Sequence, residues 1–288
     1  GAGWLAQVIE QPLPFRRCYW YAPRGPVSRD LTAAIRGLTD AAAEQAAGKR
    51  PLFIRIEPPI AASTATAEEL ERAGAQKTEP TQPATTILID LRKSEAELLD
   101  ALKYQTKANL VPRRRAQVLV RVVGGGAGVT ETDFETFWRL FAGTSARHGL
   151  RVYAKAYYRA LLELTGSCRT KLFIAQTHEQ QPLCAAIVIT CADTASYLYA
   201  ASDPQFSRLN GPTILLWEAI LDAKRVGCTT FDLWGISEQN PRWAGLTAFK
   251  KSFGGSPFRY AGTWDIPLRR GWYAVYRMRR TLLSALHR

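Results

Sequence analysis

Two stretches of this 288-residue chain repeat one order of predicted strands and helices, and this repeat restricts the fold more than any other feature. Each stretch has a strand ending in a turn, an amphipathic helix, a mostly apolar strand, a short helix ending in glycine, and a strand with an aspartate. In the first stretch these pieces lie at 19–26, 30–47, 52–57, 67–74 and 86–90. In the second they lie at 197–204, 212–226, 230–234, 246–254 and 263–265. The matched spacing predicts a duplicated α/β unit.

The order of elements after Asp133 predicts a mixed sheet with helices on both faces. Two helices are followed there by three strands, a helix, a strand, a helix and a strand. We expect a first domain at 1–115, with a C-terminal helix at 268–288 packing back onto it, and a second domain at 116–267. This basic amphipathic helix could instead lie on a membrane surface.

Composition excludes a disordered chain and indicates an anionic partner. Hydrophobic residues make up 47% of the chain and eight residues are tryptophan, which is enough for packed cores. The net charge of +13 favours nucleic acid, a phosphorylated substrate or an anionic membrane surface. The alternative is that arginine simply covers solvated faces. No apolar run could cross a bilayer and no signal peptide is visible. We therefore expect a cytoplasmic monomer, with at most peripheral contact at the inner face of the plasma membrane.

Cysteine and histidine patterns predict neither disulfides nor a metal site. The five cysteines are an odd number without a CxxC pair, and the three histidines lack ligand spacing. Reduced thiols, no metal and no cofactor are the expectation. The glycine run at 124–128 lacks the lysine and hydroxyl residue of a P-loop, so it is interpreted as a flexible connection.

Two adjacent segments of the second repeat have the composition of a functional site. Residues 230–236 form a predicted strand that runs into a glycine-containing turn, and residues 246–255 form a short helix that stops at two glycines. Loops at the carboxyl ends of strands are where α/β folds place chemistry. Asp232 alternates with apolar neighbours, so it faces the other side of the strand and could bond a neighbouring turn.

An ordered series of motifs along nearly the whole chain resembles the FemABX family of peptidoglycan bridge-forming aminoacyltransferases. The series comprises Tyr-Ala-Pro-Arg-Gly-Pro-Val at 21–27, a strand with a Ser-x-x-Glu helix at 86–97, Tyr-Ala-Ala-Ser at 199–202, Phe-Asp-Leu-Trp-Gly-Ile at 231–236 and Phe-Lys-Lys-Ser-Phe-Gly-Gly at 249–255. The resemblance implies an α/β protein of two tandem GNAT-like domains, in agreement with the duplication.

The resemblance also implies an activity. Family members transfer an amino acid from aminoacyl-tRNA to the stem-peptide amine of a UDP-MurNAc-peptide, or of its lipid-linked form, and so build an interpeptide bridge. The family's opening strand and helix, with a lysine that helps hold the nucleotide sugar, have no counterpart before Gly1, so a shortened N-terminus is expected. The helical hairpin that some members insert in the second domain is also missing, which indicates the compact subtype.

The resemblance assigns two catalytic candidates. Lys250 matches the family lysine that stabilises negative charge on the substrates, whereas Lys251 points to another helix face and is expected to be solvated. Glu57 matches a family acid that handles the acceptor amine, although it could equally be a strand-end carboxylate paired with Arg55. We expect a composite site, with the acid from one domain and the lysine from the other.

Further residues are candidates for substrate contacts. Tyr199, opposite the turn at Trp234 and Gly235, could border the acceptor groove, with core packing as the alternative. The family contacts to the precursor diphosphate fall at Lys155, Tyr158 and Arg159. The phosphates of tRNA need a broad basic surface, for which the candidates are Arg113, Arg114, Arg115, Lys103, Lys107 and the C-terminal helix with Arg277, Arg279 and Arg280.

Two other functions fit parts of the pattern. An acyl-CoA N-acyltransferase would share the GNAT fold but needs a glycine-rich pyrophosphate loop, whereas residues 208–212 contain one glycine and a proline. A non-catalytic protein that binds tRNA or the wall precursor would keep the basic surface without needing Lys250 or Glu57.

Overall fold

The computed structural model describes residues 3–45, 50–111, 116–124, 128–150, 152–164 and 166–286, with side chains up to Leu282. The chain divides into two compact units. One unit comprises residues 1–85 and 258–288, and the other comprises residues 86–257.

The described strands are β1 (Trp4–Leu5), β2 (Ile9–Leu13), β3 (Arg17–Ala22), β4 (Val27–Ser28), β5 (Phe53–Ile56), β6 (Gln76–Lys77), β7 (Thr85–Asp90), β8 (Leu119–Gly124), β9 (Cys168–Gln176), β10 (Pro182–Cys191), β11 (Thr194–Ser202), β12 (Thr230–Asp232), β13 (Ser256–Arg259) and β14 (Trp264–Pro267). The described α-helices are α1 (Leu31–Ala43), α2 (Thr64–Arg72), α3 (Glu95–Asp100), α4 (Tyr104–Asn109), α5 (Glu131–His148), α6 (Lys155–Leu162), α7 (Gly211–Arg225), α8 (Ala244–Lys251) and α9 (Arg270–Leu286).

The two main sheets contain the same five-stranded arrangement. The first has the order β2-β3-β5-β14-β6, and the second contains the run β10-β11-β12-β7-β13, extended by β9 and β8. In each run the second and third strands are parallel and the remaining pairs of known register are antiparallel. Helices α1 and α7 make the matching parallel crossovers. The α/β duplication predicted from the sequence is therefore confirmed.

The two repeats exchange one strand. β7 follows the helix and strand of the first repeat along the chain, yet it pairs with β12 of the second sheet. β14 follows the short helix of the second repeat, yet it pairs with β5 of the first sheet. The compact units therefore differ from the predicted domains 1–115 and 116–267, because residues 86–115 belong to the second unit and residues 258–267 to the first.

Local sequence accounts for where the helices begin. Asp30 caps α1 by accepting a hydrogen bond from the backbone N–H of Ala33 at 2.8 Å. The predicted capping box of Ser94 and Glu97 opens α3, and Thr130 with Asp133 forms another at α5. Each cap satisfies N–H groups that a helix end otherwise leaves unpaired.

The sheet of the second unit is covered on both faces. Along β9, Phe173 and Ala175 pack in one hydrophobic cluster with residues of α7. The alternating Leu172 and Ile174 pack in another cluster with residues of α5 and α6. Side chains of a strand point alternately to the two faces, which explains why the run from Leu172 to Ala175 is continuously apolar and buried.

The C-terminal helix α9 packs on the first sheet, as the sequence predicts. Tyr276 and Tyr273 contact Phe53, which stacks on Tyr19 at 4.7 Å between ring centroids. The Tyr273 hydroxyl also donates a hydrogen bond to Asp265 at 3.1 Å. Among the described residues, no helix is both long and apolar enough to span a bilayer.

The expectation of reduced thiols is corrected at one pair. Cys168 and Cys191 face each other across the antiparallel pair β9 and β10 and form a disulfide. Their sequence separation of 23 does not show the pairing, because strand register decides it. Cys18, Cys184 and Cys228 are buried thiols.

Candidate functional site

The parallel pair at the centre of the second sheet opens at its carboxyl end. β11 and β12 pair from Thr194↔Thr230 to Ser196↔Asp232. Beyond this point β11 continues to Ser202 while the chain after Asp232 leaves β11. Tyr199 therefore lies on one side of the opening, and the turn at Trp234 and Gly235 follows on the other. Crevices at the carboxyl ends of strands are common ligand sites.

Asp232 holds the turn that follows its strand. It is buried, and its Oδ1 accepts hydrogen bonds from the backbone N–H of Trp234 at 2.7 Å and from the hydroxyl of Thr86. Trp234 has a φ of +62°, a conformation that a bulky residue adopts only where its surroundings enforce it. Asp232 thus bonds the neighbouring turn, as predicted, and fixes the peptide that leads to Gly235.

The ammonium group of Lys250 lies at this turn. Its Nζ donates a hydrogen bond to the carbonyl oxygen of Gly235 at 2.9 Å, and only 5% of the residue is exposed. Burial lowers the pKa of Lys250 from 10.5 to about 8, with the nearby Asp232 carboxylate acting in the opposite direction. At neutral pH the group is still mainly protonated, so the site holds a poorly hydrated cation.

Helix α8 is fixed at both ends around Lys250. Near its start, the Thr247 hydroxyl donates to the Ser237 carbonyl at 2.9 Å and accepts from the Ser237 N–H at 3.2 Å. After its end, Gly254 and Gly255 have φ values of +75° and +78°. A Cβ on Gly255 would lie 2.6 Å from the carbonyl oxygen of Leu88. The double glycine is therefore required for the chain to pass so close to β7.

Lys251 takes a different position from its neighbour. It forms an ion pair with Glu238 and is partly exposed. This agrees with the expectation of a solvated helix lysine and separates the two adjacent lysines into one buried and one surface cation.

Tyr199 belongs to an aromatic cluster as well as bordering the opening. Its ring packs edge-on against Tyr158 and Phe141, and its hydroxyl lies 3.3 Å from that of Tyr157. Burial raises the pKa of Tyr199 well above its usual value, so the hydroxyl stays protonated. Tyr158 is 1% exposed, and its hydroxyl accepts from the N–H of Tyr153. Its position is that of a core residue and not of a surface substrate contact.

Lys155 and Arg159 are already paired with acids. Lys155 bonds Glu135, and Arg159 makes two hydrogen bonds to Glu131 at 2.6 and 2.7 Å. Both cations also lie over the ring of Phe134. A diphosphate at these residues would have to replace the carboxylates, so their role in binding the precursor stays a prediction.

Glu57 is buried in the first unit and bonded through both oxygens. Oε2 accepts from the Tyr21 hydroxyl at 2.5 Å, and Oε1 accepts from the Thr263 hydroxyl at 2.6 Å and the Gln82 N–H at 3.0 Å. Its expected partner Arg55 instead makes a bidentate ion pair with Asp265, at 2.8 and 2.9 Å. The alternative in which Glu57 pairs with Arg55 is therefore wrong.

The Arg55–Asp265 pair is the charged cluster that the sequence reasoning missed. Asp265 is fully buried and also accepts from Tyr273. The aspartate was recognised as part of the repeat, but the exchange of β7 and β14 places it against β5, which no local pattern reveals. This pair joins the strand from one repeat to the strand from the other.

The predicted tRNA contacts are described only in part. Arg113, Arg114 and Arg115 lie outside the described residues. Lys103 is exposed beside Tyr104, and Lys107 forms an ion pair with Asp100 at 2.7 Å. Their role remains a prediction.

The helix N-termini that a GNAT enzyme would use for acyl-CoA are poorly suited to a pyrophosphate in both repeats. In α1, Asp30 accepts from Ala33 and Glu69 accepts from the N–H of Leu31 at 3.2 Å. In α7, Pro212 lacks an N–H, and a Cβ on Gly211 would contact Leu183 and Cys184. Two carboxylates at the first helix and a proline at the second both disfavour a bound pyrophosphate.

Comparisons with known proteins establish the fold class and support the family resemblance. A tandem GNAT protein from the clavulanic acid biosynthesis pathway has 12% identity and a TM-score of 0.56, covering 86% of this chain and 75% of its own. The C-terminal domain of a putative lysylphosphatidylglycerol synthetase from Agrobacterium fabrum has 14% identity and a TM-score of 0.63, covering 96% and 87%. The predicted fold of tandem GNAT-like domains is confirmed.

Two further matches bear on the resemblance to the FemABX family. FemX has 18% identity and a TM-score of 0.79, covering 94% of this chain and 86% of its own. A model of the FemAB family matches residues 166–280, a range that contains Tyr199, Trp234 and Lys250. The FemABX resemblance of the sequence motifs is therefore confirmed. Comparison with curated protein sequences finds no match.

Proposed function

We propose that this protein transfers an amino acid from aminoacyl-tRNA to the stem-peptide amine of a peptidoglycan precursor. The observation that carries the proposal is the buried ammonium of Lys250, held at the carboxyl end of a strand where the sheet opens. The FemAB match over the same residues supports it. The substrate and the tRNA dependence are the parts that go beyond the family assignment.

The reaction requires charge stabilisation more than a covalent nucleophile. The neutral acceptor amine attacks the ester carbonyl, a C–N bond forms, the C–O bond to the ribose breaks, and an amine proton ends on the ribose oxygen. Negative charge develops on the carbonyl oxygen in between. An ammonium group has three donors, of which Lys250 uses one on Gly235. The others are available for an oxyanion, and low polarity around the site strengthens that interaction.

The two alternatives are less well supported. The N-termini of α1 and α7 disfavour acyl-CoA, as described above. A non-catalytic binding protein would have no need of Lys250 in this position, because burying a cation without a full ion pair costs stability. We keep Glu57 as the proposed acid for the acceptor amine, and Tyr199, Trp234 and Gly235 as the proposed border of the acceptor groove. A cytoplasmic location is proposed only because the proposed donor is aminoacyl-tRNA, which is found in the cytoplasm.

The proposal is tested with full-length protein, a mixture of charged tRNAs and UDP-MurNAc-pentapeptide. The expected result is a mass gain of one amino-acid residue on the precursor, which is lost when the tRNA is deacylated. Parallel reactions contain the lipid-linked precursor or phosphatidylglycerol as the acceptor. A mass gain on phosphatidylglycerol alone would replace the wall precursor by a lipid, and no gain on any acceptor would refute the transferase.

Replacing Asp232 by asparagine should move the falling limb of the pH–rate profile to lower pH. The carboxylate raises the pKa of Lys250 against the effect of burial, so without it the lysine loses its proton earlier as pH rises. The transfer rate, measured from pH 6 to pH 10, reports the shift.

Asp222→Asn is the matched control, because Asp222 pairs with Lys171 at 2.6 Å and has no contact with Lys250 among the described interactions. Its profile should match that of the wild type. An unchanged limb in Asp232→Asn would show that the two groups are not coupled.

A further inference from the structure

One face of the first unit combines exposed apolar side chains with arginines. Helix α9 exposes Trp272, Val275, Met278 and Leu282, at spacings of three, three and four residues that place them along one side. Phe15, in the turn between β2 and β3, is 85% exposed. We call these five residues the apolar face.

The turn and the helix form one continuous surface. The guanidinium of Arg17 lies over the ring of Trp272, 5.0 Å from its centroid, and Arg17 is two residues from Phe15. The opposite side of α9 is occupied by its own contacts, since Tyr273 bonds Asp265, Arg277 bonds Gln76 and Arg280 bonds Thr78. The apolar face is therefore not the side that packs on the sheet.

The charged side chains of helix α9 and of the neighbouring turn have one sign. Helix α9 contains Arg270, Arg277, Arg279 and Arg280 and no acidic residue, and helix geometry places Arg279 on the apolar side. Arg16 lies in the turn and Arg17 is the first residue of β3. Such a helix, with bulky apolar residues on one side and arginines beside them, is the type that lies in the interface of an anionic bilayer. Clustered basic residues are attracted to anionic lipids, and arginine can keep its charge at the headgroups while its stem lies on apolar surface.

We propose that the apolar face binds the surface of a bilayer containing anionic phospholipids, with Phe15 and one side of α9 inserted among the headgroups. Two other occupants fit less well. In a symmetric dimer the face would meet its own copy, and Arg16 and Arg279 would then meet arginines of the second copy. The phosphates of tRNA would use the arginines but would leave Phe15, Met278 and Leu282 exposed.

Cosedimentation with vesicles tests the proposal. We expect the wild type to bind vesicles of equal parts phosphatidylglycerol and phosphatidylcholine, to bind phosphatidylcholine alone much more weakly, and to dissociate as salt rises. The triple variant Phe15→Asn, Met278→Gln, Leu282→Gln should bind at least about tenfold more weakly, because it removes three apolar contacts with the lipid. Asparagine suits position 15, where φ is +60°.

Val226→Gln is the matched control, an exposed apolar residue of the second unit, and should bind as the wild type does. Thermal unfolding verifies that the triple variant is folded. Equal vesicle binding by the triple variant and the wild type, or no binding by the wild type, overturns the proposal. The proposal is also overturned if the wild type is a dimer and the triple variant is a monomer. It is overturned as well if the triple variant loses tRNA binding but still binds vesicles. The rate of transfer to soluble UDP-MurNAc-pentapeptide should be the same in the triple variant and the wild type. A failure of the membrane proposal can therefore be distinguished from a failure of the proposed function.

Discussion

Lys250→Met should lower the turnover of amino-acid transfer by about 10²–10³-fold while leaving the protein more stable than the wild type. The loss of activity follows from removing the only cation proposed to meet the oxyanion. The gain in stability follows from removing a charge that is 5% exposed. The two effects of one substitution have opposite signs, and this is what distinguishes a site lysine from a structural one.

The size of the stability effect depends on pH. The folded-state pKa of Lys250 is about 8 against 10.5 for a free lysine, so the folded protein disfavours the proton. Below pH 8 both states carry the proton and the penalty is complete, at most about 3 kcal/mol. Between pH 8 and 10.5 the folded state releases its proton first and the penalty disappears. Methionine leaves the Gly235 carbonyl without its donor, which costs about 1 kcal/mol, so a net gain of about 2 kcal/mol is expected at pH 7.

Urea unfolding at pH 7 and at pH 10 measures the stability change, and single-turnover transfer measures the activity. Lys251→Met is the control: its ion pair with Glu238 is exposed, so stability should change by less than about 0.5 kcal/mol and turnover should persist. A Lys250→Met protein that is less stable than the wild type at pH 7 would show that the buried charge is compensated. Wild-type turnover in that variant would remove Lys250 from the mechanism.

Gly255→Ala should destabilise the protein by about 2–5 kcal/mol. Its φ of +78° costs an alanine about 1–2 kcal/mol. Its Cβ would also lie 2.6 Å from the backbone oxygen of Leu88, which cannot move without disturbing β7, and such overpacking adds about 1–3 kcal/mol.

Gly74→Ala provides the matched comparison, because Gly74 has nearly the same φ, +82°, with no atom within 4 Å of the added Cβ. It should cost only the conformational part. Urea midpoints of the two variants give the difference directly. Equal losses in the two variants would mean that the contact with Leu88 relaxes freely.

Much of the fold could be predicted because it rests on local patterns. The capping box at Ser94, the glycine ends of the short helices and the alternation of apolar residues all act within a few residues of the chain. The duplication emerged from repeating those patterns. The exchange of β7 and β14 could not be predicted, because both strands fit either sheet by composition and only tertiary pairing decides between the sheets. The disulfide at Cys168 was missed for the same reason.

The positions of some candidate residues were predictable to a similar degree. Lys250 was proposed from its motif, and the structure places Lys250 and Lys251 in different surroundings, as helix geometry predicts. Its hydrogen bond to Gly235, and the role of Asp232 in shaping the turn, require the path of the chain after β12. Tyr158 shows the limit of motif matching, because an aromatic residue at the expected position is buried in the core. Arg55 shows another, since its partner is more than two hundred residues away.

The strand exchange sets an order for synthesis on the ribosome. The first sheet needs β14, which lies between β5 and β6 and ends at Pro267. The N-terminal repeat therefore cannot complete its hydrogen bonding until translation has passed Pro267, about two hundred residues after β5. Until then β5, with its buried arginine, presents an unpaired edge of the kind that invites wrong partners. Nascent chains should depend on chaperones between the synthesis of β5 and that of β14, and neither repeat should fold when expressed alone.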